Sequence, residues 1–170
     1  MRVLSCCVTL WLAIHYPQRF KKIIVSNTAA KIGQTNAWQD RANIVLEQGL
    51  KNIANSAPSR WFGKDFIVHH GAVVARLVDI LAHQNTNGYA ACCQALAVAD
   101  VRNKLGNINT PLLSIGGEFD LITPISDAQF IADNIPNAAI ATIAASHISN
   151  LERPDGFNAI IERFLCTNYY

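Results

Sequence analysis

Two segments of the chain place a titratable side chain shortly after an apolar run, and this arrangement constrains the fold more than any other feature. The run 111–116 is followed by Asp120, and the run 138–144 is followed by His147. The helix-like segment between them, 125–134, predicts two parallel strands joined by a right-handed crossover. The carboxyl ends of parallel strands meet at one edge of a sheet. We therefore expect Asp120 and His147 to lie within hydrogen-bond distance of each other.

Segments outside this pair extend the same α/β pattern. Residues 20–27 contain Ile23, Ile24 and Val25, a β-branched run without polar alternation. Such a run is typical of a parallel strand buried on both faces. Residues 7–16 and 154–165 are predicted helices, the second with an apolar face. The predicted fold class is therefore α/β, with parallel strands flanked by helices.

The middle of the chain has a different character, because no strand pattern interrupts it. Helical spacing and glycine or proline punctuation predict helices over 36–50, 51–57, 72–83 and 87–105. We expect two domains: a core formed by 1–27 and 108–170, and a helical insert, 28–107, that acts as a cap over a site. The alternative is an ordinary helical subdomain without contact to the site.

Composition excludes several classes of function. The 170 residues are 51% hydrophobic and only 15% charged, which is typical of a globular chain, and the net charge of +2 is too small to predict nucleic-acid binding. No apolar run is long enough to cross a membrane. Five cysteines without metal-ligand spacing favour buried thiols in a cytoplasmic protein, with no metal site. Residues 1–14 also resemble a short signal peptide, the alternative to a buried helix.

An aspartate that orients a histidine is the acid–base half of a nucleophilic triad, in which Asp120 would fix the tautomer of His147. The triad also needs a nucleophile, and the G-x-S-x-G turn that commonly carries the serine does not occur in the sequence. Ser5 precedes the first predicted helix, but Val3 and Cys7 stand where glycines would be needed. The nucleophile is therefore not identifiable. As alternatives, Asp120 could be a helix-capping turn residue and His147 a loop histidine.

Several short motifs occur together and in order: Trp11-Leu-Ala-Ile-His-Tyr-Pro-Gln-Arg-Phe20, Ser26-Asn-Thr-Ala-Ala30, Arg60-Trp-Phe62, Gly88-Tyr-Ala-Ala-Cys-Cys93, Gly117-Glu-Phe-Asp120 and Ser146-His-Ile-Ser-Asn150. On these motifs the chain resembles the 3-oxoadipate enol-lactonases of the α/β-hydrolase superfamily, which open an enol-lactone during the degradation of aromatic compounds. The resemblance implies a partial α/β-hydrolase fold with a helical cap insert, a small-molecule lactone substrate and no cofactor. It also implies catalytic roles for His147 and Asp120, and substrate binding by Trp61. Trp61 could instead belong to the cap core, and Arg60 could meet a substrate carboxylate or form a surface ion pair.

The resemblance begins near Trp11, whereas family members carry further strands and the serine turn before this region. The chain is therefore expected to correspond to the C-terminal part of such an enzyme. We expect the chain on its own to be inactive, with self-association through an open sheet edge at residues 20–27. The alternatives are a non-enzymatic α/β module, completed by a partner, and an α/β-hydrolase acting on another ester.

Overall fold

The computed structural model describes residues 2–167, with side chains from Cys6 onward. The chain forms two compact units. The sheet unit comprises Met1–Lys31 and Asp100–Tyr170, and the helical unit comprises Ile32–Ala99. The helical unit spans fewer residues than the predicted insert, 28–107.

Strands and helices are numbered in chain order. The strands are β1 (Ile23–Ser26), β2 (Leu112–Gly117) and β3 (Ala138–Ile143). The α-helices of the described residues are α1 (Arg2–His15), α2 (Thr35–Gln48), α3 (Lys51–Asn55), α4 (Pro58–Trp61), α5 (Lys64–His69), α6 (Gly71–Ala82), α7 (Thr86–Val98), α8 (Ile125–Asp133), α9 (Ser149–Glu152) and α10 (Pro154–Cys166). Short 3-10 helices cover Pro17–Arg19 and Arg102–Asn107.

The described strands form one parallel sheet in the order β1-β2-β3. Ile23 pairs with Leu112, and Leu112 pairs with Ala138. The central strand, β2, is buried along its whole length, and α8 connects it to β3. The predicted parallel α/β arrangement is confirmed.

Alternation of side chains along β1 accounts for the burial of both sheet faces. Ile23 and Val25 lie in one apolar cluster, which also contains Leu10 of α1 and Ile131 of α8. Ile24 packs against the opposite cluster, which contains Leu113, Ile115, Ile143, Ala145 and Phe164. Strands covered on both faces need apolar residues at successive positions, as the Ile-Ile-Val run predicts.

Lys22, at the entrance to β1, ties that strand to the last helix of the sheet unit. Its Nζ donates to the carbonyl oxygens of Phe164, Leu165 and Thr167 at distances of 2.6 to 3.0 Å. A lysine is well suited to this position, because the last carbonyl groups of a helix have no partners within the helix.

In the helical unit, α2 and α7 pack closely through small side chains. Ala42 of α2 meets Ala90 and Cys93 of α7, with Trp38 and Tyr89 at the border of this cluster. The short helices α4 and α5 were not predicted.

The predicted helix 87–105 was wrong in its extent. Helix α7 ends at Val98, and a separate 3-10 helix begins at Arg102. The break is stabilised by Asp100, whose carboxylate accepts from the Arg102 backbone N–H at 3.2 Å, and by the Val101 N–H, which donates to Ala30 O at 3.0 Å. Leu105 beyond the break is fully buried in the core of the sheet unit.

No helix in the described range 2–167 is long and apolar enough to cross a bilayer.

Candidate active site at the carboxyl edge of the sheet

Each of the three strands is followed by a buried polar residue at the same edge of the sheet. Asn27 comes directly after β1, Asp120 lies three residues beyond β2, and His147 lies four residues beyond β3. All three are at least 92% buried. Because the strands are parallel, their carboxyl ends converge, and residues far apart in sequence become neighbours.

Asp120 and His147 form a direct hydrogen bond. The distance from His147 Nδ1 to Asp120 Oδ2 is 2.8 Å, and their side chains are 6% and 0% exposed, respectively. The predicted proximity is confirmed. A carboxylate only accepts, so the hydrogen bond assigns a proton to Nδ1; in the neutral imidazole Nε2 is then an acceptor.

The carboxylate of Asp120 is held by four further donors. Oδ1 accepts from the backbone N–H groups of Ile122 at 2.8 Å and Thr123 at 3.0 Å. Oδ2 accepts from Thr123 Oγ1 at 2.8 Å and from Asn27 Nδ2 at 3.0 Å. The turn after β2 therefore fixes both carboxylate oxygens, with Oδ2 directed at the imidazole.

These contacts determine the charge state of Asp120. Burial by itself raises the pKa of Asp120 and is the largest single effect. It is outweighed by the hydrogen bond and charge of His147 and by the bonds from Thr123 and Asn27, which together lower the pKa to about 2. Asp120 is thus ionised at neutral pH and is positioned to stabilise a protonated imidazole.

The loop that carries His147 is fixed on both sides. The Ser146 N–H donates to Glu152 Oε2 at 2.8 Å, and Phe119 N–H donates to Ala145 O at 3.1 Å. Gly117 lies under this loop, where a Cβ atom would come within 2.6 Å of Ala145 O and 2.8 Å of Ser146 O. No side chain fits there, so glycine is needed for the close approach of the two loops.

Comparison with known proteins identifies the relatives of this chain. It is 49% identical over 152 residues to 3-oxoadipate enol-lactonase 2 of Acinetobacter baylyi, covering 89% of this chain and 57% of the relative. The structure matches the enol-lactonase from Burkholderia xenovorans LB400 with a TM-score of 0.92 and 32% identity, over 96% of this chain and 63% of that one. The chain is a relative of the 3-oxoadipate enol-lactonases, with the α/β-hydrolase fold.

A more distant structure supports the fold alone. MGS-M2, an α/β-hydrolase enzyme from a deep-sea metagenome, matches with a TM-score of 0.82 at 24% identity, over 98% of this chain and 64% of that one. No family model matches the chain. The chain spans just over half the length of the enol-lactonases that it matches.

The nucleophile of an α/β-hydrolase is not among the described side chains at this edge. The side chain of Ser5 lies outside the described residues. Cys6 and Cys7 follow it, but burial raises the pKa of both thiols, that of Cys7 to about 11. Neutral thiols are poor nucleophiles, so neither buried cysteine is suited to act as the nucleophile.

Trp61 is half-buried at the end of α4, in the helical unit. Its neighbour Arg60 has a lowered pKa because of partial burial and the charge of Arg41, with Tyr89 acting in the opposite direction. The helical unit therefore places two guanidinium groups near a phenol. The predicted role of Trp61 in substrate binding and the predicted cap role of the insert stay predictions.

Asn27 and Thr123 are parts of the site that sequence reasoning missed. The sequence places Asn27 at the end of a predicted strand and Thr123 just before a predicted helix, and gives neither a role in the site. The available signal was the position of Asn27 directly after an apolar strand, as Asp120 and His147 are placed near the ends of theirs. Among the described residues, no group of three or more His, Cys, Asp or Glu side chains could hold a metal ion.

Proposed function

We propose that the chain provides the acid and the histidine of a serine-type hydrolase that opens 3-oxoadipate enol-lactone to 3-oxoadipate. The observation that carries the proposal is the buried 2.8 Å hydrogen bond between Asp120 and His147 at the carboxyl edge of the sheet. Similarity to the enol-lactonases supports the choice of substrate.

In the proposed reaction, His147 Nε2 accepts the proton of a serine hydroxyl as the oxygen attacks the lactone carbonyl carbon. The ring C–O bond breaks, and the enol oxygen leaves with the proton from His147. Water, activated by the same nitrogen, then releases the acid from the serine. Asp120 stabilises the imidazolium at each step without accepting the proton, because its pKa is far below neutrality.

The serine and the oxyanion-stabilising N–H groups are not identified in this chain, so we propose that the 170 residues alone are inactive. Trp61, with Arg60 beside it, is the proposed contact for the lactone and its carboxylate. We also propose a cytoplasmic location, in line with the five free cysteines of the described residues.

Reconstitution tests this function. The chain is co-expressed with the N-terminal part of the Acinetobacter baylyi relative, and lactone opening is followed by ultraviolet absorbance. We expect no turnover by the chain alone and turnover by the complex, with loss of activity in His147→Ala. A folded complex without activity would reject the proposal and favour a non-enzymatic α/β module. Labelling of the isolated chain by a fluorophosphonate, absent in Ser5→Ala, would instead make Ser5 the nucleophile.

We further propose that β1 mediates self-association. In the part of the chain that the structure describes, β1 pairs with β2 on one side and has no strand on the other. A second strand edge could add there through backbone hydrogen bonds. Sedimentation velocity should show oligomers that grow with concentration and disappear when the N-terminal part of the relative is co-expressed. A monomer at all concentrations would contradict the proposal.

A further inference from the structure

Asn27 has a backbone conformation that few residues adopt. Its φ of +48° is the only positive value at a non-glycine position among the described residues. Asparagine is one of the few side chains that tolerate this left-handed region, although glycine adopts it more readily. The Asn27 N–H still donates to Ile115 O at 2.9 Å, so the turn begins immediately after the last strand pairing.

The conformation directs a buried amide into the space between the two other loops. Nδ2 donates to Asp120 Oδ2 at 3.0 Å and to Ser146 O at 3.2 Å. Oδ1 accepts from Ser149 Oγ at 2.6 Å. Both partners of Nδ2 can only accept, and this determines which end of the amide faces them. The serine hydroxyl is thereby fixed as a donor.

We propose that Asn27 is a positioning residue for the acid–histidine pair, in which the amide, held by Ser149, orients Asp120 Oδ2 toward His147 and anchors the histidine loop through Ser146. A catalytic effect of Asn27 depends on the proposed function, whereas its positioning of Asp120 and Ser146 depends only on the hydrogen bonds.

Two features distinguish Asn27 from a residue that only fills space. It bonds both to Asp120 and to the loop that carries His147, because Ser146 directly precedes His147. It also occupies the gap left by Gly117, where a Cβ atom would lie 2.9 Å from Asn27 Nδ2. Without the amide, Oδ2 would keep only Thr123 Oγ1 and His147 as partners. The turn after β2 would still hold the carboxylate, but Oδ2 would be less tightly fixed in its direction toward the imidazole.

The positive φ makes it possible to separate the two roles of Asn27. Asn27→Gly removes the amide and retains an unstrained backbone, whereas Asn27→Ala removes the amide and adds backbone strain. Ser149→Ala removes only the donor to Oδ1 and leaves Asp120 untouched. The readout is the 15N and Nδ1-proton spectrum of selectively labelled histidine at neutral pH. It is recorded in solution, or by magic-angle spinning if the chain self-associates, with the His147 signal assigned by its absence in His147→Gln.

We expect Asn27→Gly to fold, to move the His147 Nδ1 proton signal upfield and to speed its exchange with water. The free energy of unfolding should begin to fall at a pH about half a unit higher than in the wild type, since a hydrogen bond to the charged carboxylate is lost. Ser149→Ala should change the Nδ1 proton signal and the acid stability in the same direction, but by smaller amounts. An Asn27→Gly chain with wild-type imidazole signals and unchanged acid stability would overturn the proposal and leave Asn27 with a backbone role only.

Failure of the proposed function would be recognised separately. In the reconstituted enzyme, Asn27→Gly should lower kcat and leave KM unchanged. A reconstituted complex without any turnover would reject the lactonase function, while the imidazole spectra would still decide the role of Asn27.

Discussion

Asp120 and Asp100 are two carboxylates of the sheet unit with a pKa lowered to about 2, and they reach it by opposite routes. Asp100 is exposed and is bound by Arg102, two residues further along, at 2.7 and 2.9 Å. This hydrogen bond is the main cause of its low pKa, against a smaller opposing effect of burial. Asp120 has a fully buried side chain, and its partners include His147, which is 27 positions away in the sequence, and Asn27, which is 93 positions away.

A low pKa is therefore not in itself a sign of a functional site. The Asp100 pair forms between sequence neighbours in contact with water, where an ion pair contributes little to stability. The Asp120 network forms only when three loops of the folded sheet meet, and each of its donors would be left unmatched without the carboxylate. The two sites should consequently differ in every measurement except the direction of the pKa shift.

The largest contrast is expected in activity. In the reconstituted enzyme, Asp120→Asn should lower kcat by about 10⁴-fold, because an amide at this position favours the wrong imidazole tautomer. Asp100→Asn is the matched control and should leave kcat within about twofold, since Asp100 has no contact with the pair. Equal effects of the two substitutions would remove the proposed role of Asp120.

Stability should show the next largest difference. Asp120→Ala leaves His147, Thr123 and Asn27 with buried donors unmatched, and we expect a loss of about 3 kcal/mol or more in the free energy of unfolding. Asp100→Ala should cost less than about 1 kcal/mol. Urea denaturation of the two variants measures both, and a loss at Asp120 as small as that at Asp100 would show that the buried network does not stabilise the fold.

Acid should unfold the protein through Asp120 in particular. Its pKa lies at about 2 in the folded chain, below the value of about 3.9 in the unfolded chain. Its contribution, roughly 2.5 kcal/mol, is present above about pH 4 and is lost as the pH falls toward 2. Urea midpoints across this range should fall in the wild type and only slightly less steeply in Asp100→Asn, because solvent screens the exposed Asp100 pair. The fall should be clearly shallower in Asp120→Asn. A wild-type slope retained in Asp120→Asn would assign the acid sensitivity to other groups.

The smallest expected difference concerns salt. Raising the ionic strength from about 0.01 M to 1 M shortens the screening length from about 30 Å to 3 Å and should weaken the exposed Asp100–Arg102 pair. A double-mutant cycle on this pair should shrink by a few tenths of a kcal/mol, whereas the cycle between Asp120 and Asn27 should stay constant because water and ions do not reach it. A salt-dependent Asp120–Asn27 cycle would mean that the site opens to solvent.

The sequence was sufficient to predict the Asp120–His147 contact, because the parallel direction of two apolar strands determines where their carboxyl ends lie. It was insufficient for Asn27, whose role depends on three loops that approach one another only in the folded chain. The end of α7 was missed for a different reason. Val98, Ala99 and Val101 continue a helical apolar pattern. The helix is ended by the bond from Arg102 N–H to the Asp100 side chain and by the bond from Val101 N–H to Ala30 O, a carbonyl distant in the sequence.

The hydrogen bonds of Asn27 also have a kinetic consequence. The sequence separations that they span are 93, 119 and 122 positions, so each bond closes a long loop of chain. Closing such loops costs entropy before the contact is formed, which favours their formation after the folding transition state. We expect Asn27→Gly to have a φ-value near zero, with its effect in a faster unfolding rate and an unchanged folding rate. The carboxyl edge of the sheet, where Asn27 meets the Asp120–His147 pair, would then be the last part of the sheet unit to assemble and the first to open. The half-life of the Asp120–His147 contact would be shorter than that of the pairing between the strands.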